Sequence, residues 1–178
     1  MSFVVLVGNP KAGSRTLRVA TAAADAVAGA LGLTGSPQVI DLALLSAALL
    51  QDSPGPAVQA AVEQVLGADL LLVASPTFKG SYTGLLKVFL DRLPHRALQH
   101  ATALPLLVMG LPQHALAVEV HLRPLLVELG ATVPTPGLAV LESELDELDQ
   151  VLGRWAALLA ESLAVAARAS RTALAAAG

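Results

Sequence analysis

The chain of 178 residues contains no cysteine and few aromatic residues. The lack of cysteine excludes disulfide bonds, thiolate metal ligands and a cysteine nucleophile. Aromatic residues make up only 3% of a sequence that is 54% hydrophobic, so Ala and Leu supply most of the core, which favours close packing of helices on a sheet. The formal net charge of −3 provides no basic surface, which argues against nucleic-acid binding. No pair of acidic residues is placed to hold Mg²⁺, which argues against a kinase or an ATPase.

Long hydrophobic segments are also missing. The longest stretch without Asp, Glu, Lys or Arg, residues 97–118, contains two prolines, two glutamines and two histidines, so it does not have the composition of a membrane span. The apolar run at residues 3–7 lacks the basic flank and the length of a signal peptide. We therefore expect a soluble cytoplasmic protein, with one domain over residues 1–170 and a frayed Ala-rich tail at 171–178.

Strand-like and helix-like segments alternate along the chain. Short apolar runs predict strands at residues 3–7, 38–42, 69–74, 104–109 and 135–141. The predicted helices span residues 14–31, 57–66, 84–92, 115–129 and about 143–167. Pro124 is expected to kink the fourth of these helices near Val120. The alternation predicts a doubly wound parallel α/β sheet with helices on both faces, and a ligand site where the loops after the first, third and fourth strands meet.

The loop after the first strand has the composition of a phosphate site. A strand, a small-residue turn and a helix start gather backbone N–H groups and the positive end of a helix dipole around an anion. Ser14 and Thr16 add hydroxyl donors, and Lys11 and Arg15 add positive charge. The alternative is a plain turn in which Ser14 only caps its helix. The spacing of a dinucleotide fingerprint or a P-loop is absent.

Two further loops follow the third and fourth strands. In the first of them Phe78 and Tyr82 flank Lys79, and this aromatic pair either forms the wall of a site for a flat ring or packs at a helix start. In the other, Gly110 lets the backbone approach a ligand closely and Pro112 stiffens the chain. Sites for a phosphate, a flat ring and a polar ring edge together describe flavin mononucleotide (FMN) better than a nucleoside triphosphate.

Three segments resemble the NADPH-dependent FMN reductase family. They are Ser14-Arg15-Thr16, the block at residues 75–87 with Asp91 four residues on, and the segment 121–131. The resemblance covers the chain from Val4 to about Val140. Within the family it is strongest to the flavin reductases that serve two-component monooxygenases in sulfonate assimilation. It implies a flavodoxin-like, five-stranded parallel sheet in the order 2-1-3-4-5 and a homodimer or homotetramer.

The resemblance also implies which residues bind FMN. Those assigned to the phosphate are Ser14, Arg15 and Thr16, beside which Lys11 adds charge. Those assigned to the isoalloxazine are Pro76, Thr77, Phe78 and Lys79, and those assigned to the pyrimidine edge are Gly110, Leu111 and Gln113. The chain departs from the family at Lys11, where an arginine is frequent, and at Leu111-Pro112, where a second glycine is frequent. Some members carry a tyrosine in a helix bulge near the position of Val120, and this chain has no tyrosine there.

The implied reaction is hydride transfer from C4 of NADPH or NADH to N5 of FMN, with possible supply of reduced FMN to a monooxygenase. No catalytic side chain is expected, because the cofactors carry the chemistry. One alternative is a reductase that retains FMN and reduces quinones, azo dyes or metal oxyanions. Another is a flavodoxin-like electron carrier without nicotinamide activity, against which the modest net charge of −3 weighs. The last is an oligomer that has lost flavin binding, for which Leu111-Pro112 is the only indication.

Other patterns receive structural interpretations. His114 and His121 are seven residues apart without a third ligand, so no metal site is expected. The helix at 84–92 has more apolar residues than one buried stripe needs, which suggests contact with a partner subunit. The acidic segment 142–149 is expected to be a solvated helix start.

Overall fold

The computed structural model describes the backbone of residues 1–176 and the side chains of residues 1–163, and this part of the chain forms five strands and six α-helices. The strands are Phe3–Val7 (β1), Gln38–Asp41 (β2), Leu70–Pro76 (β3), Thr102–Met109 (β4) and Leu138–Leu141 (β5). The α-helices are Arg15–Leu31 (α1), Ser46–Leu49 (α2), Pro56–Leu66 (α3), Gly84–Leu90 (α4), Arg123–Glu128 (α5) and Leu148–Ala176 (α6).

All neighbouring strands pair in parallel, in the order β2-β1-β3-β4-β5. The predicted doubly wound sheet and its flavodoxin-like strand order are thus confirmed. The chain winds outward in one direction from β1 to β2 and in the other from β3 to β5. The loops after β1 and β3 therefore lie side by side at the carboxyl edge of the sheet, where ligands of such folds bind.

Helices cover both faces of the sheet because successive strand residues point to opposite sides. On one face, Val4 and Leu6 of β1 belong to a buried cluster with residues of α3 and α4. On the other face, Val5 and Val7 belong to a cluster with residues of α1 and α6. Most of the residues that α1 buries are alanine or valine, and small side chains let a helix lie close to the strands.

The strand ends follow the predicted ones within one or two residues, except in β5. This strand is shorter than the predicted strand at 135–141. Pro134 and Pro136 have no N–H to donate to β4. The guanidinium of Arg123 bonds the carbonyl of Thr135 instead, which holds this segment outside the sheet.

The predicted helix at 115–129 is divided into shorter elements. They are a 3-10 turn at Pro112–His114, a π turn at Val118–Leu122, and α5. In the π turn the N–H of Arg123 donates to the carbonyl of Val118, five residues back. Pro124 cannot donate, and its ring crowds the carbonyl four residues before it. The break therefore falls near Val120, as predicted, and it forms without a tyrosine at that place.

The apolar residues of α4 pack against the core of the same chain. Leu86, Phe89 and Leu90 are buried in the core, and Leu85 and Val88 pack against the same cluster. Leu85 and Val88 are only partly buried, so contact of this helix with a partner subunit stays a prediction.

A 3-10 turn at Glu142–Glu147 leads into α6, which continues to Ala176, past the predicted end near residue 167. The single domain over residues 1–170 and the fraying of 171–178 stay predictions, and residues 177–178 lie outside the described part. Within that part, none of the helices combines the length and apolar character that crossing a membrane requires.

Candidate functional site

The loop after β1 is organised by Asn9, a residue that the sequence analysis did not single out. Its side chain is buried; Nδ2 donates to the hydroxyl of Thr16 over 3.0 Å, and Oδ1 accepts the N–H of Lys11 over 2.9 Å. These two bonds close the loop between the end of β1 and the first turn of α1. A polar residue two positions after a buried strand was the signal that could have identified it.

The start of α1 is capped by Ser14. Its Oγ accepts the N–H of Leu17 over 3.1 Å, so Ser14 does serve as a helix cap. Capping and anion binding are compatible, because a hydroxyl that accepts one hydrogen bond keeps its proton to donate. The first N–H groups of an α-helix also have no partner within the helix. The loop therefore retains donors that can face an anion.

β3 ends in a tight hairpin that presents Phe78. The N–H of Phe78 donates to the carbonyl of Ser81 over 2.8 Å, and the reverse bond measures 3.2 Å. Lys79 and Gly80 between them have φ angles of 53° and 80°, which is the pattern of a type I′ turn. Phe78 is 52% exposed, so apolar surface faces outward at the carboxyl edge.

Two buried hydroxyls fix this hairpin, and one of them joins it to the end of β1. Ser75 Oγ accepts the N–H of Thr83 over 3.0 Å, and the hydroxyl of Thr83 donates to the carbonyl of Gly8 at the end of β1. A Cβ on Gly8 would lie 2.5 Å from Cβ of Leu86, so α4 can reach this position only beside a glycine. The two loops are thus held in one arrangement by buried bonds.

An open cavity of about 300 Å³ lies between these loops. The predicted site residues that line it are Lys11, Ser14, Arg15, Thr16, Pro76 and Phe78. A cavity of about 290 Å³ lies at the opposite edge of the sheet, and no Lys or Arg side chain is among its lining residues, all of which are described. Of the two cavities, the one at the carboxyl edge is suited to an anion.

Glu142 forms one side of the same cavity. It follows β5 directly, and its Oε2 lies 2.8 Å from Nη1 of Arg15. The sequence analysis placed this residue in a solvated helix start, and the structure shows that it also forms an ion pair across the cavity. The two residues are far apart in the sequence, and only the return of the chain through β5 brings them together.

The remaining predicted site residues lie along the same edge. Thr77 bonds the carbonyl of Val108 in β4 through its N–H, which places the loop after β4 beside the hairpin. Gly110, Leu111 and Gln113 are exposed in that loop and do not line the cavity of Arg15. The structure thus brings the phosphate and ring loops together and sets the third loop next to them.

Thr77 also carries an unpaired polar atom. Among the described side chains, the buried atoms without a hydrogen-bond partner are Thr77 Oγ1, Arg92 Nε and Thr135 Oγ1. A buried hydroxyl without a partner costs free energy. At the carboxyl edge, Thr77 Oγ1 therefore marks a position where a ligand can supply the missing bond. Lys79, next in the hairpin, is exposed, and its contact with a ligand stays a prediction.

The π turn is bonded to the segment before β5 through Glu119. This carboxylate accepts hydrogen bonds from Nε of Arg123 and from the N–H of Gly137. The bond from Arg123, with that from Gly137, lowers the pKa of Glu119 below its usual value, although burial acts in the opposite direction. A Cβ on Gly137 would overlap the side chain of Val118, so this segment lies tightly against the π turn.

The two histidines do not contribute a metal site to this edge. His114 lies in the 3-10 turn after β4, and His121 is exposed in the π turn. Over the described residues, no group of three or more His, Cys, Asp or Glu side chains is arranged to hold a metal ion.

Comparison with known proteins gives a consistent set of relatives. The profile of the family described as NADPH-dependent FMN reductase matches residues 1–146, which include every residue of the cavity at the carboxyl edge. An FMN reductase (NADPH) from Escherichia coli strain K12 is 47% identical over 76 residues, which cover 43% of this chain and 40% of that protein. The NADH-dependent FMN reductase SfnF of Pseudomonas fluorescens strain Pf0-1 is 32% identical over 81% of this chain and 78% of its own length.

A solved structure shows the same relationship. The apo form of the NADH:FMN oxidoreductase EMOB superposes with a TM-score of 0.72 at 32% identity, over 87% of this chain and 88% of that one. Against three curated relatives named FMN reductase (NADPH), the chain spans 40%, 45% and 59% of their lengths.

Proposed function

Since the chain belongs to the NADPH-dependent FMN reductase family, we propose that it catalyses hydride transfer from C4 of NADPH or NADH to N5 of FMN. The observation that carries the proposal is the cavity at the carboxyl edge. There a helix N-terminus, the cations Lys11 and Arg15, and the exposed ring of Phe78 meet in about 300 Å³. This combination suits a ligand with a phosphate at one end and a flat ring system at the other.

The residues at this edge fit FMN. The α1 N-terminus, Ser14, Thr16 and the two cations offer donors and charge to a phosphate. Thr77 offers a buried hydroxyl that lacks a partner among the described residues. The residues that would line the isoalloxazine are Pro76, Thr77, Phe78 and Lys79, and those that would contact its pyrimidine edge are Gly110, Leu111 and Gln113.

FMN, when bound, supplies N5 as the hydride acceptor. The chain itself has to bind, orient and stabilise charge, which is what an enzyme contributes to such cofactor chemistry. Lys11 and Arg15 place positive charge where the phosphate would lie. Asn9 and Thr83 hold the two loops in position before any ligand arrives, so little reorganisation would accompany binding.

The proposal also covers the oligomeric state of the protein and its partner proteins. We propose that the protein forms a homodimer or homotetramer, which the exposed side chains of Leu116, just before the π turn, and Val120, within it, support. Sedimentation velocity checks this, and a monomer at micromolar concentration contradicts it. Delivery of reduced FMN to a monooxygenase, and a cytoplasmic location, stay predictions.

The first experiment follows NADPH and NADH oxidation by flavin-free protein, with and without added FMN. Saturating dependence on free FMN supports a reductase that uses flavin as a substrate. Turnover that needs a quinone or a dye, on protein purified with FMN, indicates the reductase that retains its flavin. Bound FMN without oxidation of either nicotinamide nucleotide leaves an electron carrier and contradicts the proposal. Failure to bind FMN at all indicates the oligomer that has lost its cofactor.

A pair of variants tests the fit independently of activity. Thr77→Val removes the unpaired hydroxyl at nearly constant volume, and we expect FMN affinity to fall about tenfold because a hydrogen bond to the ligand is lost. Thr135→Val removes the other unpaired hydroxyl, which lies before β5, and should change FMN affinity by less than about twofold. Neither change should reduce thermal stability, since neither hydroxyl has a partner within the described chain. Equal FMN affinity in both variants would contradict the assignment of Thr77.

A further inference from the structure

Glu142 places a negative charge inside a cavity that is otherwise suited to an anion. Its carboxylate lies 2.8 Å from the guanidinium of Arg15 and lines the cavity together with Lys11 and Ser14. A site built only for tight phosphate binding gains nothing from a carboxylate at this position, because like charges repel. The ion pair is therefore an unexplained feature of the proposed flavin site.

From this geometry we infer that Glu142 sets the affinity for flavin by competing with the FMN phosphate for Arg15; the inference rests on the proposed function. The phosphate can engage Arg15 fully only when the guanidinium turns away from Glu142. Binding then exchanges one ion pair for another, so the net gain is smaller than that of a free arginine. A weaker hold on the phosphate lets the flavin leave, which suits a protein that treats FMN as a substrate.

The position of Glu142 makes this competition specific to the phosphate end. The residue starts the 3-10 turn Glu142–Glu147 after β5, and the carboxylate reaches the side of the cavity that Arg15 forms. The side chains of Arg15 and Glu142 are 59% and 37% exposed, so the pair is solvated and can separate at small cost. Glu144, on the same turn, accepts the N–H of Leu141 over 2.8 Å and so has a structural task.

The test compares FMN with riboflavin, which has the same ring system without the phosphate. Binding to flavin-free protein is measured by calorimetry for the wild type, for Glu142→Gln, and for the control Glu147→Gln, which removes one exposed negative charge from the same turn. We expect Glu142→Gln to lower the Kd for FMN about three- to tenfold at low ionic strength. The Kd for riboflavin should change by less than about twofold, and the control should change neither Kd by more than that.

Two further arms isolate the mechanism. In an Arg15→Gln background, Glu142→Gln should change the Kd for FMN by less than about twofold, because the guanidinium for which Glu142 and the phosphate compete is gone. In about 1 M salt the effect should also shrink, since the Debye length falls to roughly 3 Å. Stopped-flow dissociation should assign most of the change to slower release of FMN.

The outcomes separate this inference from the function on which it rests. Unchanged or weaker FMN binding in Glu142→Gln overturns the competition, as does an equal gain for riboflavin or a gain that persists without Arg15. In each of these cases FMN still binds the wild type, and the proposed function stands. A wild type that binds neither flavin overturns the proposed function and the role of Glu142 with it. A thermal melt of each variant confirms that the comparison is made on folded protein.

Discussion

The loops after β1 and β3 differ in construction from the segment that follows β4. Each of the first two is closed by a buried bond, through Asn9 in one and Ser75 in the other, and the hydroxyl of Thr83 bonds the two together at Gly8. The segment at 110–122 changes from a 3-10 turn to a π turn and exposes Leu111, Leu116 and Val120. Glu119, bonded by Arg123, ties this segment to the one before β5, and Val118 and Leu122 anchor it in the core.

The candidate site therefore has two halves that are held in different ways. The first half is the pair of loops after β1 and β3, and the second is the segment 110–122 with the chain before β5 that packs against it. The phosphate and ring loops have fixed positions because buried polar groups must keep their hydrogen bonds. The segment after β4 keeps a backbone geometry that an α-helix would not have and leaves apolar surface uncovered. We therefore expect mutations in the first half to act on folding and flavin binding together, and mutations in the second half to act on them separately.

The largest expected effect is that of Gly8→Ala. The added Cβ would meet Cβ of Leu86 at 2.5 Å, so β1 and α4 must move apart, at a cost of about 2–3 kcal/mol in the free energy of unfolding. FMN affinity should fall with it, because the carbonyl of Gly8 accepts the hydroxyl of Thr83. Urea denaturation and flavin titration measure the two effects.

Two other glycines serve as references for that variant. Gly137→Ala, tight against Val118 in the second half, should lose comparable stability with a smaller loss of FMN affinity. Gly29→Ala lies within α1 where a Cβ meets nothing within 4 Å, and it should stabilise by about 0.5–1 kcal/mol. Equal losses of FMN affinity in Gly8→Ala and Gly137→Ala would remove the distinction between the halves.

Asn9→Ala should have an intermediate effect. It removes the bonds to the hydroxyl of Thr16 and the N–H of Lys11, which should cost about 1–2 kcal/mol of stability and about tenfold in FMN affinity. Thr21→Ala is the matched control, because it removes a hydroxyl that bonds the carbonyl of Leu17 one turn further along α1. An Asn9→Ala protein that binds FMN as tightly as the control variant would show that the loop is not organised by this amide.

The smallest expected effect concerns the pH dependence of stability in the second half. The hydrogen bonds of Arg123 and Gly137 lower the pKa of Glu119 in the folded chain. Glu119 therefore stabilises the folded state at any pH above the pKa of a glutamate in the unfolded chain, and this contribution is lost as the pH falls through the lower pKa of the folded state. Glu119→Gln should flatten the fall in stability between neutral and acidic pH, as urea denaturation at pH 7 and at about pH 3 would show.

Glu128→Gln, an exposed glutamate at the end of α5, is the control for that measurement. Flavin affinity at pH 7 should be the same in both variants and in the wild type. If Glu119→Gln weakens FMN binding as strongly as Asn9→Ala does, the π turn takes part in the site and the two halves are coupled.

The fold could be predicted from the sequence because its signals are local. Continuous apolar runs such as 3–7 and 69–74 are typical of strands buried on both faces, and their alternation with helices leaves one class of topology. The kink near Val120 could be predicted because Pro124 acts on the carbonyl four residues before it. Its form as a π turn could not, since that depends on how Glu119 and Arg123 bond the segment before β5.

The site was predictable only in part, because only some of its residues are close together in the sequence. The cluster at the start of α1 is made of residues that are neighbours in sequence, namely Lys11, Ser14, Arg15 and Thr16. The start of a helix brings such neighbours together whatever the rest of the chain does. Glu142 meets Arg15 only because β5 returns the chain to the carboxyl edge. Asn9 was overlooked because both of its bonds lie within the loop, and composition alone does not show whether an asparagine side chain points into the loop or into solvent.

The single tryptophan has a practical consequence. Trp155 in α6 is buried on the face of the sheet shared with α1, and its indole N–H donates to the carbonyl of Pro136 over 3.2 Å. Its fluorescence therefore reports from one known place, the contact between the C-terminal helix and the segment before β5. If α6 detaches before the sheet unfolds, the indole emission will change ahead of the far-ultraviolet circular dichroism. Coincident transitions will show instead that the helix and the sheet unfold as one unit.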